Sequence, residues 1–421
     1  MSGLFKINDT VANKISYYHI LLLMATLPFD MFYSHVVLIS FGLHTLINLN
    51  KKTFRPVFKL RTLVLQSVFF ISLFSLLYTI NTTEGFNELG KRAIVIIFPI
   101  LFCLNPIDLK KYRPQLFLFF SLICTAIIIY LYVDALVTIK HFSLPFKSLF
   151  SSAFNNHNFS EPINMHATFF SMQVALALIY LLSLLVKEQV FNKKVLYTIC
   201  TLILIAGLIQ LSSKSVCIAL ALIINIVLPY FLLQGVKRRR MVWITASLSV
   251  LLLACILYSG TLRERYINQL TEDLSPAKKG EVLDSRLARW TVVIKLIGKA
   301  PLAGYGAGAE VGLLHENFFN NKLYNSFINN LNAHNQYLSM LIKSGIIGLL
   351  VYMGTLAFGI NISFQQKDLL FLSFMIIIIA VSFSENYLDV DKGLFYYAFF
   401  FPVFLFSNEQ AVIDPELAKP S

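Results

Sequence analysis

The chain has 421 residues, of which 57% are hydrophobic and 14% are charged, and its formal net charge is +13. Continuous apolar runs that approach the roughly 20 residues needed to cross a bilayer exclude a soluble core, and because they do not alternate they also exclude a β-barrel. The basic residues are concentrated in one set of short loops, a distribution that orients membrane proteins, so the charge does not indicate a nucleic-acid partner. We therefore predict an all-α, polytopic membrane protein.

The apolar runs predict about twelve transmembrane helices. Their predicted bounds are 15–30, 33–48, 62–79, 93–105, 115–138, 167–186, 195–211, 216–234, 241–259, 335–363, 368–383 and 393–407. The chain is thereby divided into the first spans (1–259), one large outer loop (260–334), and the last spans with a tail (335–421). Basic residues favour the cytoplasmic side, and Lys51, Lys52 and Arg55 lie in a predicted inner loop. Both termini are therefore predicted to be cytoplasmic.

Within the large loop, the segment DSRLARWTVVIKLIGKAP predicts a helix. Asp284 or Ser285 can cap its N-terminus, and Gly298 and Pro301 can end it. The predicted apolar face consists of Leu287, Trp290, Val293, Ile294 and Ile297. The next residues, GYGAG at 304–308, lack the lysine and the spacing of a P-loop, so they predict a loop turn.

Two arginines, Arg286 and Arg289, fall in the first turn of this helix, where the helix dipole is already positive. That placement suits a bound anion such as phosphate, which a guanidinium can contact with two hydrogen bonds. The alternative is a helix that lies on the membrane surface while its arginines contact lipid headgroups. The residues alone leave both possibilities open.

The segment NAHNQYLSMLIKSGIIG, residues 332–348, leads from the loop into the tenth span. Asn332 is predicted as the N-cap, so that His334 lies in the first helical turn above a stripe that ends in Gly345 and Gly348. Such glycines let a neighbouring helix or a lipid chain approach closely. Lys343 lies on the opposite face at a depth in the membrane where an ionisable side chain needs an oppositely charged partner or a route to the membrane–water interface. The helix dipole disfavours a charged His334, which predicts a proton acceptor; the alternative is an interfacial histidine without chemistry.

These segments resemble a known family. HNQYLSMLIKSGIIG, a His-Asn pair followed by G-x-x-G, and SRLARWTVVIKLIGKAPLAGYGAG, an arginine and a tryptophan before Pro-Leu-x-Gly-x-Gly, are similar to the signature of the O-antigen ligase and O-antigen polymerase family. The sequence motifs match over about 285–348; elsewhere the resemblance consists of the twelve predicted spans and the single large outer loop. It implies a GT-C-like glycosyltransferase of the bacterial inner membrane, whose active site faces the periplasm and which takes glycans from a polyprenyl pyrophosphate carrier.

The resemblance also implies a role for each matching residue. His334 matches the histidine that activates the acceptor hydroxyl or helps to bind the donor, and Arg286 matches the arginine at the donor pyrophosphate. Lys214 stands where many members carry a second phosphate-contacting arginine; it keeps the charge but loses the bidentate fork. Further candidates for substrate binding on the same side are Arg289, Asn335, Arg92, His166 and Glu385.

The implied donor is a glycan on undecaprenyl pyrophosphate, whose tail lies among membrane lipids, and the implied single displacement inverts the anomeric centre. A ligase would use the lipid A core as acceptor and a polymerase a second lipid-linked glycan; the single large loop favours the ligase. The sequence has no Asp-x-Asp motif and no clustered outer carboxylates, which predicts a reaction without a metal or other cofactor. A transporter or flippase for lipid-linked saccharides is a distant alternative. Such folds commonly show internal repeats and charges at mid-membrane, whereas this sequence shows no repeat and its charged residues gather at the outer helix ends.

Overall fold

The computed structural model of the chain describes residues 5–49, 57–275 and 284–407. Within these ranges every regular element is a helix, as the sequence predicted. Lys51, Lys52 and Arg55 of the predicted inner loop, and almost all of the predicted C-terminal tail, lie outside the described residues.

The longer helices are labelled here in chain order. They are α1 (Val11–Thr26), α2 (Met31–Ile47), α3 (Leu60–Ser75), α4 (Thr82–Arg92), α5 (Ile94–Leu104), α6 (Leu109–His141), α7 (Ala167–Lys187), α8 (Phe191–Leu211), α9 (Lys214–Leu232), α10 (Gly235–Tyr258), α11 (Arg286–Ile297), α12 (Ala309–Asn320), α13 (Gln336–Gln365), α14 (Leu369–Ser382) and α15 (Asp391–Phe406). Short helical turns lie between them, including His157–Ser160, Gly260–Arg263, Glu264–Asn268, Gln269–Asp273 and Tyr324–Ile328.

A helix is present at each of the places where the sequence predicted a span. By length and composition, 7 helical stretches in the described residues can cross a membrane. They are α3 with its following turn (Leu60–Tyr78), α6, α7, α8, α9, α10 and α13. α2 and α14 are apolar but shorter. The chain is thus a polytopic helical membrane protein, and the total of twelve spans remains a prediction.

The last helix, α15, lies at the centre of the bundle. Its residues are buried from Gly393 to Phe406, and it packs against α5, α6, α7 and α14. The Phe404 ring contacts the rings of Phe117 in α6 and Phe374 in α14, with centroids 5.2 and 5.4 Å apart. Close packing of this kind holds membrane helices together, because lipid offers no hydrophobic driving force between them. By contrast, α10 has no buried residue and presents its apolar surface outward.

A break in α13 lies where the predicted glycine stripe begins. Gly345 has φ +60° and ψ −159°, a conformation almost confined to glycine. A Cβ atom added there would collide with the backbone of Leu302 in the large loop. The close neighbour that glycine admits is therefore the loop backbone, and the predicted approach of a helix or lipid chain at this position was wrong.

The predicted turn at 304–308 supplies the hydrogen bonds that the broken helix lacks. The Tyr305 N–H donates to the Ile342 carbonyl at 2.8 Å, and the Gly306 N–H donates to the Lys343 carbonyl at 2.9 Å. Gly304 and Gly306 both have positive φ, which the close approach of the two backbones requires. The large loop is thereby fastened to a transmembrane helix.

The loop helix α11 has the predicted bounds, with Ser285 as its N-cap and Gly298 after its last residue. Its buried face differs from the predicted one, because Ile294 is exposed and Arg289 is buried. Hydrophobicity alone assigned these two residues to the wrong sides. The buried arginine faces a cavity, which is described next.

Candidate functional site

A cavity with a volume of about 1080 Å³ lies among the described residues. Apolar side chains of α9 and α14 line one part of it, namely Ile218, Leu222, Ile376 and Ile379. Four cationic side chains line another part, namely Lys214, Arg265, Arg286 and Arg289. A cavity with these two kinds of wall suits a molecule that carries both an anionic group and a hydrocarbon chain.

Lys214 and Arg286 share one carboxylate. Lys214 Nζ lies 3.5 Å from Asp273 Oδ2, and Arg286 Nε lies 3.7 Å from the same oxygen. Lys214 is the first residue of α9, and Arg286 is the first residue of α11, so two helix N-termini meet here. Both ends add partial positive charge to that of the side chains. The structure thus brings together two of the residues that the sequence singled out.

Arg289 is the most deeply buried cation on the cavity wall, with only 6% of its surface exposed. Two of its nitrogens, Nε and Nη1, have no hydrogen-bond partner among the described residues. Burial, and after it the neighbouring Arg286, lowers the pKa of Arg289 to about 10, so the side chain remains charged near neutral pH. A buried charge with unused donors is costly unless an anion binds to it.

Arg265 is a cationic wall residue that the sequence analysis missed. It lies in the helical turn Glu264–Asn268, and its Nη1 donates to Gln269 Oε1 at 2.6 Å, while its Nε has no partner in the part of the chain that the structure describes. Burial lowers its pKa. The available signal was a basic residue on the predicted outer side, the same signal that marked Lys214.

His334 lies against an acidic side chain. Its Nδ1 is 3.4 Å from Glu385 Oε2. Burial raises the pKa of Glu385, but His334, His166 and Arg286 lower it by more, so the net shift is downward. Glu385 lines the cavity and His334 does not. His334 therefore lies next to a side chain of the cavity wall.

The structure corrects the predicted start of α13. Asn335, and not Asn332, is the N-cap, because its Oδ1 accepts hydrogen bonds from the N–H groups of Tyr337 and Leu338. Asn332 Oδ1 instead accepts from the His334 N–H at 2.9 Å. His334 precedes the helix with φ +45°, so it does not continue the helical stripe.

Asn335 acts in the structure as a helix cap, 6% exposed, and it does not line the cavity. Arg92 is also away from the cavity: its side chain is buried and lies 2.8 Å from both Glu88 and Asp389. The structure therefore does not bring these two predicted substrate-binding residues to the candidate site.

His166 caps α7, with its Nδ1 accepting from the Thr168 N–H at 3.3 Å. Its ring contacts the ring of His157, with centroids 4.2 Å apart. Burial lowers the pKa of His166 to about 4, so it is neutral near pH 7. His157, which the sequence analysis did not select, lines the cavity, whereas His166 stands behind it.

No group of three or more His, Cys, Asp or Glu side chains in the described ranges has an arrangement that could hold a metal ion. The charged side chains that line the cavity are three arginines, one lysine and the five carboxylates of Glu264, Glu272, Asp273, Asp284 and Glu385. The arginines and the lysine are groups that can bind an oxyanion directly through hydrogen bonds.

The apolar helices and the cavity between them define a polytopic membrane protein with a buried cationic site. Residues 199–353 match a family model described as O-Antigen ligase, which confirms the family that the sequence resembles. The matched segment contains Lys214, Arg286, Arg289 and His334, whereas Glu385 lies beyond it. No curated protein matches the chain.

Proposed function

We propose that the chain is an O-antigen ligase-type glycosyltransferase, which moves a glycan from undecaprenyl pyrophosphate to a sugar hydroxyl of the lipid A core. The observation that carries this proposal is Arg289, a buried guanidinium on the cavity wall with two nitrogens that have no partner within residues 5–49, 57–275 and 284–407. The pyrophosphate of a lipid-linked glycan would satisfy those donors. The match to the O-antigen ligase family supports this choice of donor.

The cavity supports a bound position for both parts of the donor. The pyrophosphate would lie between Arg289, Arg286 and Lys214, and it would replace the Asp273 carboxylate that Lys214 and Arg286 contact in its absence. The polyprenyl tail would lie along the apolar walls of α9 and α14 and continue into the surrounding lipid.

The His334–Glu385 pair supports a role in proton transfer. With the proton of the neutral imidazole on Nδ1, towards Glu385, Nε2 is left to accept the proton of the acceptor hydroxyl. The acceptor oxygen then bonds to the anomeric carbon as the bond from that carbon to the phosphate oxygen breaks. A single displacement of this kind inverts the anomeric centre.

The leaving group of this reaction is undecaprenyl pyrophosphate, on which negative charge develops. Arg286, Arg289 and Lys214, which line the cavity, would stabilise that charge electrostatically. Because these side chains supply the positive charge, the proposed reaction uses no metal and no other cofactor. The site would face the periplasm from the bacterial inner membrane, with both chain termini in the cytoplasm.

The proposal can be tested by offering the purified protein a lipid-linked repeat unit with and without lipid A core. A lipid A core that carries the glycan, formed equally well with EDTA present, is the expected product. A longer lipid-linked polymer formed without the core would instead identify the polymerase of the same family. Failure of the protein to use the lipid-linked glycan in either reaction would overturn the glycosyltransferase proposal.

A further inference from the structure

The backbone of His334 is held in a conformation that residues other than glycine rarely adopt. Its φ is +45°, in the left-handed region that costs a residue with a Cβ atom free energy unless its surroundings stabilise it. Such a residue persists only when neighbouring groups fix its peptide units. Here Asn332 Oδ1 accepts from the His334 N–H, and further groups come from distant parts of the chain.

The N–H groups of Ala333 and Asn335, the two residues next to His334, donate to buried side chains. The Ala333 N–H donates to Glu310 Oε1 at 3.0 Å, and the Asn335 N–H donates to Asn386 Oδ1 at 2.7 Å. Asn386 Nδ2 in turn donates to Glu310 Oε1 at 2.8 Å. Glu310 Oε1 thus accepts from Ala333, which precedes His334, and from Asn386, which in turn accepts from the Asn335 N–H after His334.

Asn386 directly follows Glu385, the acidic partner of His334. Glu310 therefore contacts both members of the pair through their neighbours: His334 through Ala333, and Glu385 through Asn386. A shift of Glu310 would change the separation of the imidazole and the carboxylate. Glu310 itself contacts neither ring nor carboxylate of the pair, and it does not line the cavity.

Glu310 is 1% exposed, and its second oxygen belongs to a buried charge cluster. Oε2 accepts from the Ser339 hydroxyl and lies 3.4 Å from Lys343 Nζ. Lys343 Nζ is also 2.7 Å from Asp389 and 3.1 Å from Glu88. The lysine that the sequence predicted to need a partner has three carboxylate partners in the structure.

We propose that Glu310 is a positioning residue for glycan transfer, which fixes the His334–Glu385 pair through Ala333 and Asn386, and that Lys343 keeps Glu310 in place. This inference rests on the proposed function. Displacements of about 1 Å in an active site can lower turnover about a hundredfold, whereas the binding of a group held elsewhere is unaffected. Within the described residues, Glu310 contacts none of the cations that would bind the donor pyrophosphate.

The test compares the Glu310→Ala and Asn386→Ala variants with the unchanged protein in turnover and in donor binding. We expect both variants to bind the lipid-linked donor with unchanged stoichiometry and with a dissociation constant within about twofold. Turnover at saturating donor should fall about a hundredfold, as for a misplaced catalytic group. The stoichiometry separates this result from partial unfolding, which would remove donor sites and turnover in equal measure.

Glu316→Ala is the matched control, because Glu316 is an exposed carboxylate on the same helix, α12. It should keep the turnover of the unchanged protein. If Glu310→Ala does not yield folded protein, the Asn386→Ala variant decides. Normal turnover in a folded variant of either residue, or loss of turnover in proportion to lost donor sites, would overturn the inference.

A double-variant cycle tests the part assigned to Lys343. Lys343→Met removes the cation beside Glu310 and should lower turnover with donor sites retained. In the Glu310→Gln and Lys343→Met double variant the neutral amide needs no cation, so turnover should exceed the product of the two single effects. If the turnover of the double variant equals the product of the two single effects, the link between Glu310 and Lys343 is contradicted.

The two proposals fail in different ways. An unchanged protein that transfers no glycan from a lipid-linked donor contradicts the proposed function. An unchanged protein that transfers the glycan, together with a fully active and folded Glu310→Ala variant, contradicts the positioning role alone.

Discussion

Arg286 and His334 contact consecutive residues of one turn. Arg286 Nη1 donates to the Ser384 carbonyl at 3.2 Å, and His334 Nδ1 lies 3.4 Å from Glu385 Oε2. The guanidinium and the imidazole that the sequence predicted to act together are thus held by the same short connection between α14 and α15. A leaving group bound at Arg286 would lie close to a base at His334.

Replacing His334 with alanine should nearly abolish transfer while the donor still binds. General base catalysis contributes about 10²–10⁴-fold to a rate, so a loss of this size is expected in turnover. Transfer from a purified lipid-linked donor and direct donor binding are the two measurements. His141→Ala, an exposed histidine at the end of α6, is the control. Full transfer activity of His334→Ala would show that another group accepts the proton.

Replacing Arg289 with methionine should separate stability from function. The side chain is buried and its Nε and Nη1 have no protein partner, so an apolar side chain of similar length should leave the melting temperature unchanged or raise it. The same change should weaken donor binding, because the anion loses its buried cation.

The melting temperature without donor and the dissociation constant of the donor are the two measurements that test this prediction. Arg263→Met, at an exposed arginine, should alter neither quantity. A lower melting temperature with unchanged donor binding in Arg289→Met would assign Arg289 a structural role.

Alanine at Gly345 should disrupt the docking of the large loop. The positive φ alone costs a residue with a Cβ atom about 1–3 kcal/mol, and the added atom would also collide with Leu302. The melting temperature should fall, and proteolysis of the loop should accelerate. Gly354→Ala in the same helix, where an added Cβ meets nothing within 4 Å, should be neutral or slightly stabilising. Equal behaviour of the two variants would contradict the assigned contact.

The half-buried His166 should make the protein less stable as the pH falls. Burial lowers its folded-state pKa from 6.5 to about 4, so the unfolded chain binds more protons between these values. The free energy of unfolding should therefore decrease from about pH 6.5 down to pH 4. His166→Asn retains a capping side chain but does not titrate, so it should reduce this slope.

Melting temperatures at pH 7 and pH 5 measure the effect, with His141→Asn as an exposed control. Glu385 contributes little in this interval, because its pKa is lowered from 4.5 and its effect lies at more acidic pH. An unchanged pH dependence in His166→Asn would mean that His166 titrates alike in the folded and unfolded chains.

Local patterns predicted what local interactions determine. The helix at Arg286–Ile297 begins at its Ser285 cap and ends before Gly298, and each predicted span contains a helix. The motif residues Arg286 and His334 do meet at one turn. All of these features depend on hydrophobic runs and capping residues that lie next to each other in the chain.

The features that the sequence did not predict depend on contacts between distant residues. His334 precedes the helix, and Glu310 and Asn386, which are far from it in the sequence, hold the N–H groups of its two neighbours, Ala333 and Asn335. Arg92 has the charge and predicted side of a donor-binding residue, but Glu88 and Asp389 hold it elsewhere. Helical periodicity carries no information about such pairings.

The fastening of the loop to α13 limits how substrates can reach the site. Lifting residues 304–306 would leave the carbonyl groups of Ile342 and Lys343 without these donors, and each buried carbonyl left unpaired costs about 1–3 kcal/mol. Residues 304–306 are therefore held against α13 and do not serve as a hinge. In the proposed reaction, a lipid-linked donor would then enter the cavity from the plane of the bilayer, without any movement of this segment.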